Sequence, residues 1–423
     1  MPTSPTRPAR SGSDGTSPTS SAAASSGRTR RASSRSATER SIVRDRRTAI
    51  LAYFLLFVGV GVALPYLPLY LLSLGYSGWE IGVVMGVVPA FRWGGALGWA
   101  WIADRRRVRH PVLVGAALAA AACHVPLLAV RTVPAMLVVV AAISLFQGPL
   151  VPMLDATVMD HLPRLGGDYG RLRLWGSTGF IVGAGASAVA ITAASPAVVP
   201  VLLLVPALAV APAFLGLPRT QLGERGFGAP WALFTAPLAV LLAVAFLVNF
   251  SAGAWGGLFA LHTSRLGLPD ALPGVAWDTA VAAEVVVLWA GRRLLAAVGP
   301  ERLLAVALAV TAVRWAVTAV VTSPVLLVAV QAGQGFTFGA FHLATLTLVA
   351  ELVPRQASTT GQALYGLTGF GLGGALGAAL AGLVVERIGT SALFGVEALV
   401  ATVALAPALA LRRLRQRATR DCS

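Results

Sequence analysis

The chain has 423 residues and a formal net charge of +16; 56% of its residues are hydrophobic and 12% are charged. Ordinary soluble domains carry about 25% charged residues, so this composition excludes a protein whose main solvent is water. The two ends, residues 1–47 and 412–423, hold 11 of the 16 net charges. Basic segments beside hydrophobic ones orient membrane proteins or meet anionic lipid, so we expect a lipid bilayer and no nucleic acid as partner.

The first segment of the chain, residues 1–47, is a tail rich in Ser and Arg. Its first 40 residues have almost no large apolar side chain, so ordering them would bury too little surface to offset the lost entropy. We therefore predict a disordered tail. The two cysteines lie far apart, Cys123 in an apolar stretch and Cys422 near the C-terminus, and predict no disulfide framework.

Long apolar stretches follow the tail. A hydrocarbon core of about 30 Å needs about 20 residues of helix to cross it. The stretches that meet this length lie at 48–73, 79–103, 111–130, 133–161, 170–194, 197–217, 230–261, 274–292, 302–321, 324–352, 359–385 and 390–411. We predict an all-α membrane protein with twelve transmembrane helices. The helices form two halves, at 48–217 and 230–411, which are joined by a cytoplasmic linker at 218–229. A basic tail follows at 412–423.

The arginines fix the expected orientation. All 33 basic residues are Arg, and 28 of them lie on the cytoplasmic side if the N-terminus is cytoplasmic. Arginine accumulates on that side of membrane proteins. We therefore expect a multi-pass protein of the cytoplasmic (inner) membrane with both termini in the cytoplasm.

One segment is repeated at an offset of 190 residues. Trp175-Gly-Ser-Thr-Gly-Phe-Ile-Val-Gly183 in the fifth helix matches Tyr365-Gly-Leu-Thr-Gly-Phe-Gly-Leu-Gly373 in the eleventh. A match between the fifth helix of each half predicts two pseudo-symmetric six-helix halves, the duplication found in major facilitator transporters. The alternative is two unrelated glycine-rich packing faces, since small residues let membrane helices approach closely.

Ionisable side chains inside the spans are costly and are functional or paired by default. Asp155 and Arg173 each lie nine residues from Arg164, beside Pro163 where a turn is expected, or about 13 Å along a helix. Residues equally far from a hairpin turn lie at one depth, so these two side chains can meet. The alternative is a purely structural ion bridge.

A second pair is expected at the bilayer centre. Glu284 and Arg314 each lie fifteen residues from Gly299, about 22 Å along a helix. The same structural alternative applies to this pair. Arg92 is a further charge within a span, at the level of Cys123 if its hairpin turns near residue 108.

The tenth span carries a stripe of polar and aromatic residues. At regular helical spacing, its members share one face: Gln331, Gln334, Phe338, His342 and Thr345. Such a stripe in an apolar helix is expected to line water or substrate. The alternative for His342 is a hydrogen-bonded packing residue.

Four segments resemble a known family. They are Asp168-Tyr-Gly-Arg-Leu-Arg173-Leu-Trp-Gly-Ser, Val281-Ala-Ala-Glu284-Val, Val313-Arg314-Trp315 and Phe341-His342-Leu-Ala. They are similar to segments of helices five, eight, nine and ten in the lactose permease and phenylpropionate permease branch of the major facilitator superfamily. The likeness spans roughly residues 48–411. It implies the major facilitator fold, a transporter without a cofactor, and a monomer.

The resemblance also implies roles for residues. Asp155 and Arg173 would bind substrate, with Phe180 at the position of the aromatic residue that stacks on the sugar in lactose permease. Glu284 and Arg314 would take part in binding and proton coupling.

Other candidates complete the expected site. For substrate binding these are Arg92, Gln331 and Gln334, and for coupling His342. Asp104 and Arg105 begin a segment that resembles the superfamily's signature loop between helices two and three, although Ala100, Arg107 and Val108 depart from it. Gln334 and Thr337 stand where lactose permease has its coupling histidine and glutamate. We therefore do not expect lactose as the substrate, and we expect coupling to use other residues.

We therefore predict a secondary active transporter that moves a small polar or anionic organic solute by alternating access, with a proton or another cation as the coupling ion. No phosphate-binding loop, zinc-ligand spacing or nucleophile elbow indicates an enzyme or a metal site. Two alternatives remain. One is a drug or metabolite exporter of the same fold, and the other is a non-transporting sensor or scaffold.

Overall fold

The computed structural model describes residues 20–162, 165, 169–219, 234–354 and 358–421. Within these ranges the chain is helical and forms no β-strand. A helix satisfies its own backbone hydrogen bonds, which a chain surrounded by lipid must do. The predicted linker at 218–229 lies almost entirely outside the described residues, as does the turn beside Arg164.

The helices are named α1 to α12 in chain order. Their bounds are α1 Ser20–Ser73, α2 Gly78–Arg106, α3 Arg109–His124, α4 Val133–Gln147 with Leu150–Asp160, α5 Tyr169–Ala193, α6 Val199–Leu215, α7 Ala236–Ser251 with Gly253–Arg265, α8 Leu272–Val298, α9 Pro300–Val320, α10 Pro324–Leu352, α11 358–388 and α12 390–421. Helices α11 and α12 run on from each other except at Gly389, where φ is 82° and ψ is 172°.

Within the described residues, ten helices are long and apolar enough to cross a membrane. The last of them, Thr360–Leu411, contains the break at Gly389 and therefore counts as two spans. Helix α8 has 27 residues, which is also long enough. The architecture is consistent with the twelve predicted spans.

Helix α1 begins at Ser20, inside the tail for which the composition predicts disorder. That prediction considered only the burial of apolar surface. Ala and Arg are abundant in this stretch and favour helix, and residues added to an existing helix avoid the cost of a new nucleus. The backbone from Ser20 onward is accordingly helical, and residues 1–19 lie outside the described part.

The repeated glycines pack equivalent helices in the two halves. At Gly183 of α5, any side chain would collide with the carbonyl oxygen of Val58 in α1. At Gly373 of α11, a Cβ would lie 2.6 Å from the carbonyl oxygen of Phe246 in α7. Helices α1 and α7 are the first of each half. The glycines therefore serve close packing, and they do so between the helix pairs that a duplication predicts.

The two halves meet tightly at the end of the bundle that holds the α1–α2 connection. There α2 lies against α11, with Gly82 so close that a Cβ would be 2.6 Å from Cα of Gly382. The carboxylate of Glu386 in α11 accepts a hydrogen bond of 3.1 Å from the backbone N–H of Trp79 in α2. At the opposite end, the segments Leu150–Asp160 and Ser358–Gly366 pack mainly within their own halves. The bundle is thus closed at one end.

Candidate functional site

Helices α4 and α5 bring Asp155 and Arg173 together, as hairpin geometry predicts. Arg173 Nε lies 4.0 Å from Asp155 Oδ1. Tyr53 of α1 donates a hydrogen bond of 2.5 Å to the same oxygen. The guanidinium carbon of Arg173 lies 4.2 Å from the ring centroid of Phe57, also in α1. The pair therefore joins three helices of the N-terminal half.

The contact between Asp155 and Arg173 is loose and open to solvent. The two side chains are 29% and 31% exposed, and Asp155 is held more closely by Tyr53 than by Arg173. A structural ion bridge gains most when it is buried and fully hydrogen-bonded. Here the guanidinium, the phenol and the face of Phe57 form a surface that can bind a carboxylate attached to an apolar body.

Glu284 of α8 faces this pair from the C-terminal half. Helix α8 packs against α5, the helix of Arg173, and among the described residues Glu284 and Arg173 form no ion pair. The side chain is partly buried beside Gly339 of α10, where any side chain would touch its Cγ. Arg173 therefore contacts a carboxylate of its own half, and its helix packs against the helix of Glu284 in the other half.

The predicted ion pair between Glu284 and Arg314 is absent from the part of the chain that the structure describes. Helices α8 and α9 do form a hairpin, with the turn at Gly299, where φ is 78°. Equal distance from a turn sets the depth of two residues but not their rotation about the helix axes. Helix α9 directs Arg314 towards α7 and α10 instead.

Arg314 lies in a buried cluster and is 1% exposed. Its Nε donates a hydrogen bond of 2.9 Å to Gln331 Oε1, and its Nη1 donates to Gln334 Oε1. The guanidinium carbon lies 4.6 and 4.2 Å from the ring centroids of Trp255 and Trp315. Gln331 and Gln334 thus bind Arg314, and their predicted contact with substrate stays a prediction.

The polar stripe of α10 divides between two neighbouring helices. Gln331 and Gln334 contact α9, whereas His342 Nδ1 lies 2.9 Å from the hydroxyl of Tyr365 in α11. The His342 ring also stacks on Phe338, with centroids 5.4 Å apart. Between them the backbone forms a 3₁₀ turn and then a π-helical turn, Gly335–Ala340. These turns depart from 3.6 residues per turn, so the spacing used to predict a single face does not hold.

Two other predicted binding residues lie apart from the pair. Arg92 Nη2 donates a hydrogen bond of 3.1 Å to Gln147 Oε1 in α4. Phe180 is buried, and its ring centroid lies 6.0 Å from that of Trp277 in α8. Phe180 thus contributes to the interface between the halves. Whether either residue binds substrate stays a prediction.

The predicted conformational segment lies at the end of α2. Arg105 is exposed, and its guanidinium carbon lies 5.3 Å from the ring centroid of Trp101. The side chain of Asp104 lies outside the described part of the structure. Arg107, which follows the helix, has a φ of 55° and so turns the chain towards α3.

Two buried carboxylates were missed by the sequence reasoning. Asp278 lies in α8 and Glu397 in α12, and each has one oxygen without a hydrogen-bond partner among the described residues. Both lie in predicted spans, at 274–292 and 390–411. The rule that an ionisable group in a span is functional or paired would have found them, had it been applied to every span.

Comparison with known proteins identifies the family and the fold. Residues 49–396 match the model of the MFS_1 like family. The chain is 27% identical over 377 residues to the "Probable 3-phenylpropionic acid transporter" of Escherichia coli (strain K12). The aligned region covers 86% of this chain and 97% of that transporter. It is 29% identical over 351 residues to the maltose permease of Geobacillus stearothermophilus, with coverage of 81% and 89%. The crystal structure of the nucleoside transporter NupG matches with a TM-score of 0.76 and 18% identity, over 86% and 98% of the chains. At that identity the structural match shows the fold alone.

Proposed function

The chain belongs to the MFS_1 like family and is a secondary transporter of the major facilitator fold; from this we propose that it carries a small organic anion across the cytoplasmic membrane by proton symport. The solute binds between the halves, next to Arg173. The protein works as a monomer by alternating access, with both termini in the cytoplasm. In this orientation the closed end of the bundle faces outwards and the solute site opens to the cytoplasm.

The observation that carries the proposal is the loose, exposed contact between Arg173 and Asp155. Asp155 already accepts a short hydrogen bond from Tyr53, so its hold on Arg173 is partial. A planar guanidinium donates two parallel N–H groups to the two oxygens of a carboxylate. The ring of Phe57 below the guanidinium supports an apolar group on the same solute.

The substrate class follows from this chemistry. A carboxylate on an aromatic or other apolar body satisfies both the guanidinium and the ring. One relative is named for such a compound, 3-phenylpropionic acid, whereas the other is named for a neutral sugar. The arginine-centred contacts support the acid over the sugar.

Proton coupling follows from the charge balance around Arg173. One guanidinium faces Asp155 from its own half and Glu284 from the other. A solute carboxylate would compete with Glu284 for this guanidinium. A proton taken up by Glu284 removes that competition, so proton binding and solute binding each favour the other. The solute and the proton then cross together.

Uptake into proteoliposomes tests the proposal. Radiolabelled 3-phenylpropionate, maltose and uridine are each offered with the outside acidic, and then again with a protonophore present. Of the three compounds, we expect only 3-phenylpropionate to accumulate beyond its level in protein-free liposomes. Those liposomes correct for passive entry of the neutral acid. We expect the protonophore to abolish the excess accumulation. Accumulation of maltose or uridine in place of the acid would contradict the substrate class, and uptake unaffected by the protonophore would contradict symport.

A further inference from the structure

Glu397 of α12 is a carboxylate at the centre of the C-terminal half. It is 4% exposed. Its Oε1 accepts a hydrogen bond of 2.7 Å from the backbone N–H of Ala254, and its Oε2 has no partner among the described residues. A buried carboxylate is costly when it is charged and only partly hydrogen-bonded. A side chain in such a site needs either a close counter-charge or a proton.

The charged group that faces Glu397 is Arg314 of α9. Its guanidinium carbon lies 4.6 Å from the ring centroid of Trp255, the residue after the donor Ala254, and it forms no ion pair with Glu397 among the described residues. Arg314 Nη2 is likewise buried without a partner. On α7, His262 lies two turns beyond Ala254, and its Nδ1 is 2.9 Å from the hydroxyl of Thr390.

Among the described residues, no hydrogen bond joins Glu397 to an ionisable group on the other neighbouring helices. Helix α10 presents the two neutral amides that bind Arg314, Gln331 and Gln334. Helix α11 has no ionisable residue between Tyr365 and Glu386. On α8, Asp278 faces Gly185 of α5. The net charge of this buried layer therefore depends on whether Glu397 holds a proton.

The donor to Glu397 belongs to a segment that also touches the other half. Helix α7 breaks at Ala252, and Ala254 lies in the first turn of the segment Gly253–Arg265. This segment packs on α1 and α2 of the N-terminal half. At Gly257, a Cβ would lie 3.1 Å from the Cβ of Met85 in α2. Movement of the N-terminal half against this segment would therefore shift the N–H group that binds Glu397.

We propose that Glu397 is a proton-binding site whose affinity is set by the position of the Gly253–Arg265 segment, so that a proton there is linked to the relative position of the two halves. This inference rests on the proposed proton symport for its use in transport. It adds a proton site in the core of the C-terminal half, distinct from Glu284 at the solute site. A proton from a hydronium ion forms an O–H bond with Oε2 and leaves a water molecule behind, so the carboxylate becomes a neutral carboxylic acid.

Infrared difference spectra of the full-length protein in lipid, recorded as the pH is stepped without solute, test this site. A protonated carboxyl group has a C=O stretching band that a carboxylate lacks. We expect a titrating band in the parent protein that disappears in Glu397→Gln and remains in the surface control Glu80→Gln. Glutamine retains an oxygen that can accept the Ala254 hydrogen bond, so the variant is expected to fold. A band unchanged in Glu397→Gln would overturn the proposal.

A second pair of variants leaves the carboxyl group in place and tests the link to the other half. Gly257→Ala puts a methyl group against Met85, whereas a Cβ at Gly256 meets nothing within 4 Å. We expect Gly257→Ala to change the proton affinity of Glu397, as reported by the band, by about threefold or more. The reason is that a shift of a few tenths of an ångström alters a hydrogen bond to a charged group. Gly256→Ala should leave this affinity unchanged. Equal affinities in both variants would overturn the link. These spectra involve no transport, so the site can be confirmed even if uptake by the parent fails to follow the pH gradient.

Discussion

Glu284 lies in α8, which packs against α5, the helix of Arg173, across the boundary between the halves. Among the described residues, Glu284 forms no ion pair with Arg314 in the adjacent helix α9. A carboxylate that pairs across the boundary can exchange partners when the halves move. One paired within its own half would only hold two helices together. The position of Glu284 therefore makes it the candidate for coupling at the solute site.

Glu284→Gln is predicted to separate coupling from solute movement. Glutamine cannot take up a proton, so the competition for Arg173 no longer depends on pH. We expect proteoliposomes with this variant to exchange 3-phenylpropionate at equal pH but not to accumulate it under an imposed pH gradient. Glu80→Gln, at the start of α2, is the matched control and should behave as the parent. Gradient-driven accumulation by Glu284→Gln equal to that of the parent would place the coupling proton elsewhere.

Gly82→Val is predicted to open the closed end of the bundle. A Cβ at Gly82 would lie 2.6 Å from Cα of Gly382, so the valine forces α2 away from α11. Spin labels at Ser73 and Arg387 should move apart, as measured by pulsed electron resonance. Gly98→Val is the control on the same helix, because a Cβ at Gly98 meets nothing within 4 Å. An unchanged distance in Gly82→Val would show that this contact does not hold the halves together.

Gln334→Leu is predicted to destabilise the C-terminal half. The substitution removes the acceptor for Arg314 Nη1 and leaves a buried charged donor unpaired. We expect a loss of about 1.5–3 kcal/mol, the range for hydrogen bonds to charged groups, seen as a lower Tm in detergent. Thr402→Val is the control, since it loses only a hydrogen bond to Ala398 in its own helix. A Tm equal to that of the control would mean that Arg314 is held by its other contacts.

Topology can be tested independently of transport. The arginine distribution predicts that the α4–α5 connection and the segment after α6 lie in the cytoplasm. Reporter domains fused after Arg164 and after Arg219 should both give a cytoplasmic signal. A periplasmic signal from either fusion would contradict the number of spans that precede it.

Hairpin positions were predictable because they depend on spacing alone. Apolar length identified the spans, and equal distance from a turn brought Asp155 to Arg173. The glycine repeat similarly predicted two related halves, and its equivalent positions Gly183 and Gly373 each pack closely on the first helix of their own half.

Rotation about helix axes was not predictable from spacing. It depends on packing against several neighbours at once, which is why Arg314 contacts glutamines and indoles and not Glu284. In α10 the π-helical turn, Gly335–Ala340, changed the register further, and no signal in the sequence indicated it. Glu397 could have been found from its place within a span, but its hydrogen bond to the break in α7 required the structure.

The affinity of Arg173→Lys for 3-phenylpropionate tests the proposed solute site most directly. Lysine keeps the positive charge but lacks the planar fork that binds two oxygens. By isothermal titration calorimetry we predict an affinity at least tenfold lower than that of the parent, a loss of about 1.4 kcal/mol or more. Arg131→Lys, whose arginine binds Tyr70 and backbone carbonyls in the α3–α4 connection, should bind as the parent does. An unchanged affinity in a correctly folded Arg173→Lys would contradict the claim that Arg173 anchors the solute.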